Sequence, residues 1–218
     1  MTDERKRSYS SDLRAEQARR TRRQIVDAAA GLFGEHGFAA TTIDAVAERA
    51  AVSRKTVFSS VGGKVELLKL ACDYALGGDD EEVTLRERPQ LLRIIAEPDP
   101  WRRNELYAAF VTETNRRLVR LWLALHEAAA QDEQAAAVLA EWEAVRRRAM
   151  RTGPVPALVR DGALRAGLSP DHAADILWML IDPVLYDRMV DRAGWSRKRF
   201  RDWLAWTMET QVMAPRPR

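Results

Sequence analysis

"AVSRKTVFSSVGGK", residues 51–64, decides how the whole chain is read. It sets three cations, the serine pair Ser59-Ser60 and the glycine pair Gly62-Gly63 around few apolar residues. Three readings are open: a solvated loop, a phosphate-binding loop for a nucleotide, or a short helix offered to DNA. The phosphate-loop pattern GxxxxGK[ST] needs a glycine six residues before the lysine and a hydroxyl after it. The chain has Phe58 and Val65 there, and no strand pattern leads into the segment. That reading fails.

The flanking residues decide between the other two. Upstream, Ile25, Ala29, Leu32 and Phe33 recur at i, i+4, i+7 and i+8, one apolar stripe of a first helix. Gly37 follows as its stop. In "TTIDAVAERAAVS", Thr41 or Thr42 caps a short second helix, and Asp44 suits the positive end of its dipole. This helix ends near Ala50 and buries Ile43, Val46 and Ala47. Ser53 then caps a short third helix that stops at Gly62-Gly63, and Lys64 opens a fourth that ends at Gly77-Gly78. Short helix, tight turn, short helix is the arrangement whose second helix enters the DNA major groove. Val52 and Val57 face inward in it. Arg54, Lys55, Thr56, Phe58, Ser59 and Ser60 are left for the groove and its phosphate walls, where arginine reaches guanine and hydroxyls reach phosphate or base edges.

Helical periodicity continues downstream, and no sustained period-two alternation appears. Residues 79–88 read as a charged loop, 90–96 as a brief helix, and "EPDP" as a break. Long helices are expected from about Trp101 to Ala130 and from about Asp132 to Arg151, with an interruption at "GPVP" and helix again over 157–165. The last two span roughly 170–190 and 196–212. Asp182-Pro183 kinks the first of these, because proline donates no N–H, and Asp182 is placed to re-cap the second half. Ser196 caps the last, whose stripe is Phe200, Trp203, Leu204, Thr207 and Met208.

Composition agrees with a cytoplasmic protein. No apolar run reaches 18 residues, the N-terminus lacks the apolar region of a secretory signal, and the lone Cys72 excludes an internal disulfide. Net charge is +3, but residues 1–65 hold 12 Lys/Arg against 8 Asp/Glu, while the rest is near balance. A positive segment suits a polyanion partner, and it also suits a solvated helix face.

Residues 21–68 resemble the DNA-binding domain of the TetR family of bacterial transcriptional regulators. The marks are I-x-x-A-A-x-x-L-F-x-x-x-G-F in the first helix, T-T-I-x-x-[IV]-A, the A-x-V-S turn, T-V-[YF] in the third helix, and G-x-K-x-x-L-L. The resemblance implies an all-α fold: an N-terminal three-helix helix-turn-helix DNA-binding domain plus a larger C-terminal helical domain for ligand binding and dimerisation. The expected division is a basic arm over 1–20, the DNA-binding domain over 21–66 and the effector and dimerisation domain over 67–218. It further implies a homodimer on a palindromic, inverted-repeat operator, usually repressing and released by a small-molecule effector, with no cofactor. Residue by residue, Thr41 or Thr42 and Lys64 would contact phosphate, and Arg54, Lys55, Thr56 and Ser59 would face the groove. Three departures stand out. Ala51 occupies a turn position that usually carries glycine, Phe58 replaces the more usual tyrosine, and Ser60-Val61 replaces an aromatic or basic residue followed by phenylalanine.

The arm "ERKRSYSSDLRAEQARRTRR" reads either as a strap along phosphates or the minor groove, or as a solvated tail with Arg19, Arg20, Arg22 and Arg23 on an open face. On the long helix, Tyr107, Phe110, Val111, Thr114, Leu118, Leu121, Trp122 and Leu125 form a stripe. By itself that means core; by resemblance the same face lines an effector cavity, with Tyr107, Phe110, Thr114, Trp122, His126 and Trp178 as candidate contacts and Asp182 as a further polar one. "ADILWMLIDPVLY" is apolar on more than one face, which fits a dimer interface and equally a buried core helix. The three histidines, His36, His126 and His172, fall in separate elements without metal-ligand spacing, and nothing supports catalysis. Two rival readings remain: an effector-independent activator or architectural DNA-binding protein on the same fold, and a helical enzyme or scaffold.

Overall fold

Short polar side chains begin most of the helices. The structure is a computed structural model that describes residues 2–81 and 83–216, and of residues 2–12 the backbone alone. After α1 (Thr2–Ala40), Thr42 accepts from Ala45 N at the start of α2 (Ile43–Arg49), and Ser53 from Thr56 N at the start of α3 (Arg54–Ser60). Then come α4 (Lys64–Gly77) and, past a single 3-10 turn at Leu85–Glu87, α5 (Pro89–Ala96). Asp99 caps α6 (Pro100–Ala129) and Asp132 caps α7 (Glu133–Thr152). After α8 (Pro154–Arg160), Ser169 caps α9 (Pro170–Leu180), Asp182 caps α10 (Pro183–Tyr186), and Ser196 caps α11 (Arg197–Val212). In each capped case a side-chain oxygen takes a backbone donor that the first turn leaves unpaired. Among the described residues no strand forms; Leu164 and Met213 make one isolated bridge.

Three boundaries differ from the sequence reading. The first helix does not begin near residue 21, because its backbone runs unbroken from Thr2 through the segment read as an arm. The "GPVP" interruption narrows to Gly153, since Pro154 sits in the first turn of α8, where its missing N–H costs nothing. The helix expected over 157–165 ends at Arg160, because Gly162 takes a φ of +64° and turns the chain away. The break at Asp182-Pro183 is as expected, and Asp182 Oδ1 accepts from Val184 N at 2.7 Å. Gly37 ends the regular part of α1 with φ 77° and ψ −178°.

Two apolar cores share one helix. The first joins Ile25, Val26, Leu32 and Phe33 of α1 to Val46, Val57, Leu67 and Leu68 of α2, α3 and α4; Leu118, Leu121, Trp122 and Leu125 of α6 complete it, with Trp142 of α7. The second joins Ala108, Val111 and Val119 of α6 to Met150, Leu158, Leu177, Tyr186, Phe200, Leu204 and Met208. The 30-residue α6 therefore spans both, most of its C-terminal half in the first core and its buried N-terminal residues, with Val119, in the second.

Candidate nucleic-acid interface

The α2–α3 unit is held from within by Val46 and Val57, both fully buried, and its turn is closed by backbone bonds. Val52 N donates to Ala47 O at 2.9 Å and Ala51 N to Glu48 O at 3.1 Å, the paired bonds of a Schellman stop. That stop places Ala51 in the left-handed region with φ 53°, the one non-glycine residue with positive φ among those described. The glycine usual at this position would adopt it without Cβ strain.

With Val57 turned inward, α3 presents Arg54, Lys55, Phe58 and Ser59 to solvent, and Thr56 and Ser60 half-buried. These side chains are not equally available. Arg54 Nη1 lies 2.8 and 3.0 Å from the two oxygens of Asp44, and its guanidinium carbon is 5.6 Å from the Phe58 ring centre. Thr56 Oγ1 is 2.8 Å from Ser53 Oγ, and Ser59 Oγ donates to Thr56 O at 3.2 Å. Lys55 makes no hydrogen bond or ion pair with any described residue, and Phe58 is 45 % exposed. Of the two threonines left open by sequence, Thr42 is the exposed cap. Thr41 is withdrawn as a phosphate contact: it is 1 % exposed and its hydroxyl donates to Gly37 O at 2.8 Å. Lys64 stands between these elements. Its Nζ donates to Ala39 O at 3.4 Å, lies 4.1 Å from the Phe38 ring centre, and is shifted below the ordinary lysine value by burial.

Residues 25–71 match the family model described as bacterial regulatory proteins, tetR family. The N-terminal domain is TetR-family. Solved structures extend the likeness over nearly the whole chain. NalD, the secondary repressor of the MexAB-OprM multidrug efflux pump in Pseudomonas aeruginosa, is 21% identical with a TM-score of 0.67, over 90% of this chain and 98% of its own. SmeT, the repressor of the Stenotrophomonas maltophilia multidrug efflux pump SmeDEF, is similar in its triclosan complex at 20% identity and a TM-score of 0.64, over 91% of this chain and 98% of its own. The fatty acid degradation regulator FadR from Bacillus halodurans is 14% identical at a TM-score of 0.69, over 86% of this chain and 97% of its own. At such identities the shared property is the fold, a TetR regulator fold with an N-terminal helix-turn-helix and a helical C-terminal domain. No curated protein matches the chain.

The basic residues ahead of the TetR-family domain are partly committed elsewhere. Asp80, just past α4, accepts from Arg19 Nε at 2.9 Å and Arg23 Nη1 at 3.1 Å, so these two arginines tie α1 to α4. The hydrogen bond from Arg19 holds the Asp80 carboxyl below its ordinary range. The side chains of residues 1–12, where DNA contact by the arm was an open reading, lie outside the described residues.

The effector candidates divide into two groups in the helices beyond the TetR-family domain. Tyr107 stacks on Phe110 with ring centres 6.4 Å apart, and its hydroxyl meets Met150 Sδ at 3.7 Å. Trp122 and Trp178 meet through two residues that the sequence reading missed, Glu143 and Arg146 of α7. Trp178 Nε1 donates to Glu143 Oε2 at 3.0 Å. Arg146 Nη1 lies 3.3 Å from both Glu143 and Asp182, and its guanidinium carbon is 5.0 Å from the Trp122 ring centre. Thr114 and Trp122 are buried with Oγ1 and Nε1 unpartnered in the structure. His126 is exposed and meets the Trp122 ring edge-on at 5.2 Å. In sequence, Glu143 and Arg146 look like any i, i+3 ion pair on a solvated face. Only the fold brings them under two tryptophans.

Proposed function

We propose that the chain is a dimeric DNA-binding transcriptional regulator, a repressor that leaves an inverted-repeat operator when a small molecule occupies its C-terminal helices. The observation that carries this reading is the face of α3, where an unpaired Lys55 and an exposed Phe58 flank a fully buried Val57. Lys55 is suited to guanine O6 and N7, and the Phe58 ring to a thymine methyl. Thr42, Ser60 and Lys64 are suited to phosphates on either side, and Thr56 and Ser59 would face the groove. Asp44 engages Nη1 of Arg54, one of the nitrogens that an end-on guanine contact would use, so Lys55 carries more of the base reading. Lys55→Ala is expected to weaken specific binding by about 1–3 kcal/mol and to relax preference at one base pair. Arg54→Ala is expected to do less. Titrating both variants on a duplex selected by the wild-type chain tests this, and a loss at Arg54 equal to or larger than that at Lys55 would overturn the ranking. Binding should also fall steeply with salt as counterions are released, and a flat salt titration would remove the operator reading altogether.

Dimerisation is supported by Met179 on α9 and Trp206 on α11, 55 % and 61 % exposed on the two helices that the resemblance assigns to the interface. The likeness to SmeT, solved with triclosan, supports a small-molecule effector, and the Trp122–Trp178 cluster with Arg146, Glu143 and Asp182 is its proposed seat. Tyr107, Phe110 and Thr114 would extend that seat along α6. Arg146 fills part of the cluster itself, which favours a second reading in which the regulator works without an effector. A thermal-shift screen with triclosan, acyl compounds and organic cations, followed by release of bound DNA, separates the two.

A further inference from the structure

Glu127 lies near the C-terminal end of α6, far from the matched segment, yet its carboxylate reaches the DNA-binding domain. Oε2 accepts from Phe38 N at 2.9 Å and Oε1 from Ala39 N at 3.1 Å. These two donors follow Gly37, where the chain leaves α1, and a carboxylate satisfies both at once. The seat is close enough that a Cβ on Gly37 would stand 2.5 Å from Glu127 Oε2. The same turn carries the inward bond of Thr41 to Gly37 O and the bond of Lys64 to Ala39 O. Thr42, the cap of α2, follows directly. One carboxylate from α6 thus holds the turn from which both candidate phosphate ligands, Thr42 and Lys64, take their positions.

We infer that Glu127 is a positioning residue for operator binding, setting the height of Thr42 and Lys64 over the phosphate backbone without touching DNA. This rests on the DNA-binding reading above. The geometry explains why a carboxylate stands there: a glutamine offers only one acceptor oxygen and turns an NH2 group toward the second N–H.

The test uses the full-length chain and a duplex enriched from a random pool by the wild type. Affinities of wild type, Glu127→Ala, Glu127→Gln, Lys64→Ala and the Glu127→Ala/Lys64→Ala double variant are measured across salt, with helical melts recorded alongside. Glu127→Ala is expected to bind about tenfold more weakly, Glu127→Gln to lose affinity in the same direction, and the salt slope of both to drop by about 1, as for a lost phosphate contact. In the double variant the losses should overlap rather than multiply, because Glu127 acts through the turn that seats Lys64. A purely structural tie would lower the melt and leave the salt slope and the overlap unmoved. Wild-type affinity in both Glu127 variants, or losses that multiply with Lys64→Ala, overturns the inference while leaving DNA binding intact. If Glu127→Ala does not fold, Glu127→Gln is judged by the same criteria. A pool that yields no enriched duplex overturns the DNA-binding reading and this inference with it.

Discussion

Ala51 shows how one residue's backbone records the demands of its turn. The bonds from Val52 N to Ala47 O and from Ala51 N to Glu48 O require a left-handed residue between α2 and α3, and the chain supplies an alanine at φ 53°. The Cβ strain of that conformation is about 1 kcal/mol, against which glycine's extra freedom when unfolded is a partial offset. Ala51→Gly is therefore expected to raise stability by up to about 1 kcal/mol, read as a higher urea midpoint at unchanged slope; a lower midpoint would show that the turn is unstrained. Sequence alone marks Ala51 only through comparison with the usual glycine. Arg54 teaches the opposite lesson. As a residue type at the head of a recognition helix it is an obvious base reader, but Asp44, ten residues earlier on another helix, already holds it. No local pattern announces that pairing.

At the scale of elements, caps and breakers were readable and lengths were less so. Ser53, Ser196 and the Asp182-Pro183 break act where their chemistry places them, because capping depends on neighbours three residues away or fewer. The length of α1 and the early end of α8 follow from continuation and glycine conformation, which periodicity signals poorly. The tie from α1 to α4 through Asp80 is a further non-local feature with a pH signature. The Asp80 carboxyl is held low by Arg19, so its contribution is complete above the ordinary aspartate value of about 4 and is lost as pH falls through the lower folded value. Asp80→Asn should accordingly be less stable than wild type at neutral pH, with the difference closing in acid. A difference that persists unchanged at about pH 2 would show that charge is not its cause.

For the whole molecule, the decisive feature is that α6 belongs to both cores. Leu118, Leu121, Trp122 and Leu125 form one wall of the core that holds the helix-turn-helix. Burying four such side chains contributes on the order of 6–12 kcal/mol, comparable to the roughly 5–15 kcal/mol that stabilises an entire domain. A fragment of residues 1–80 is thus expected to lack cooperative unfolding, which a thermal melt followed by circular dichroism will show; a sharp transition would mean that α1–α4 are self-sufficient. The sequence by itself determined the helical class, the helix-turn-helix, most caps and the family of the DNA-binding domain, because these rest on short-range periodicity, turn chemistry and a contiguous motif. Only the tertiary structure decided that Thr41 is buried, that Arg54 is already paired, that Glu143 and Arg146 lie beneath Trp122 and Trp178, and that Glu127 grips the turn ahead of Thr42. Each of these depends on which helices meet, and side chains tens of residues apart leave no local trace of their pairing.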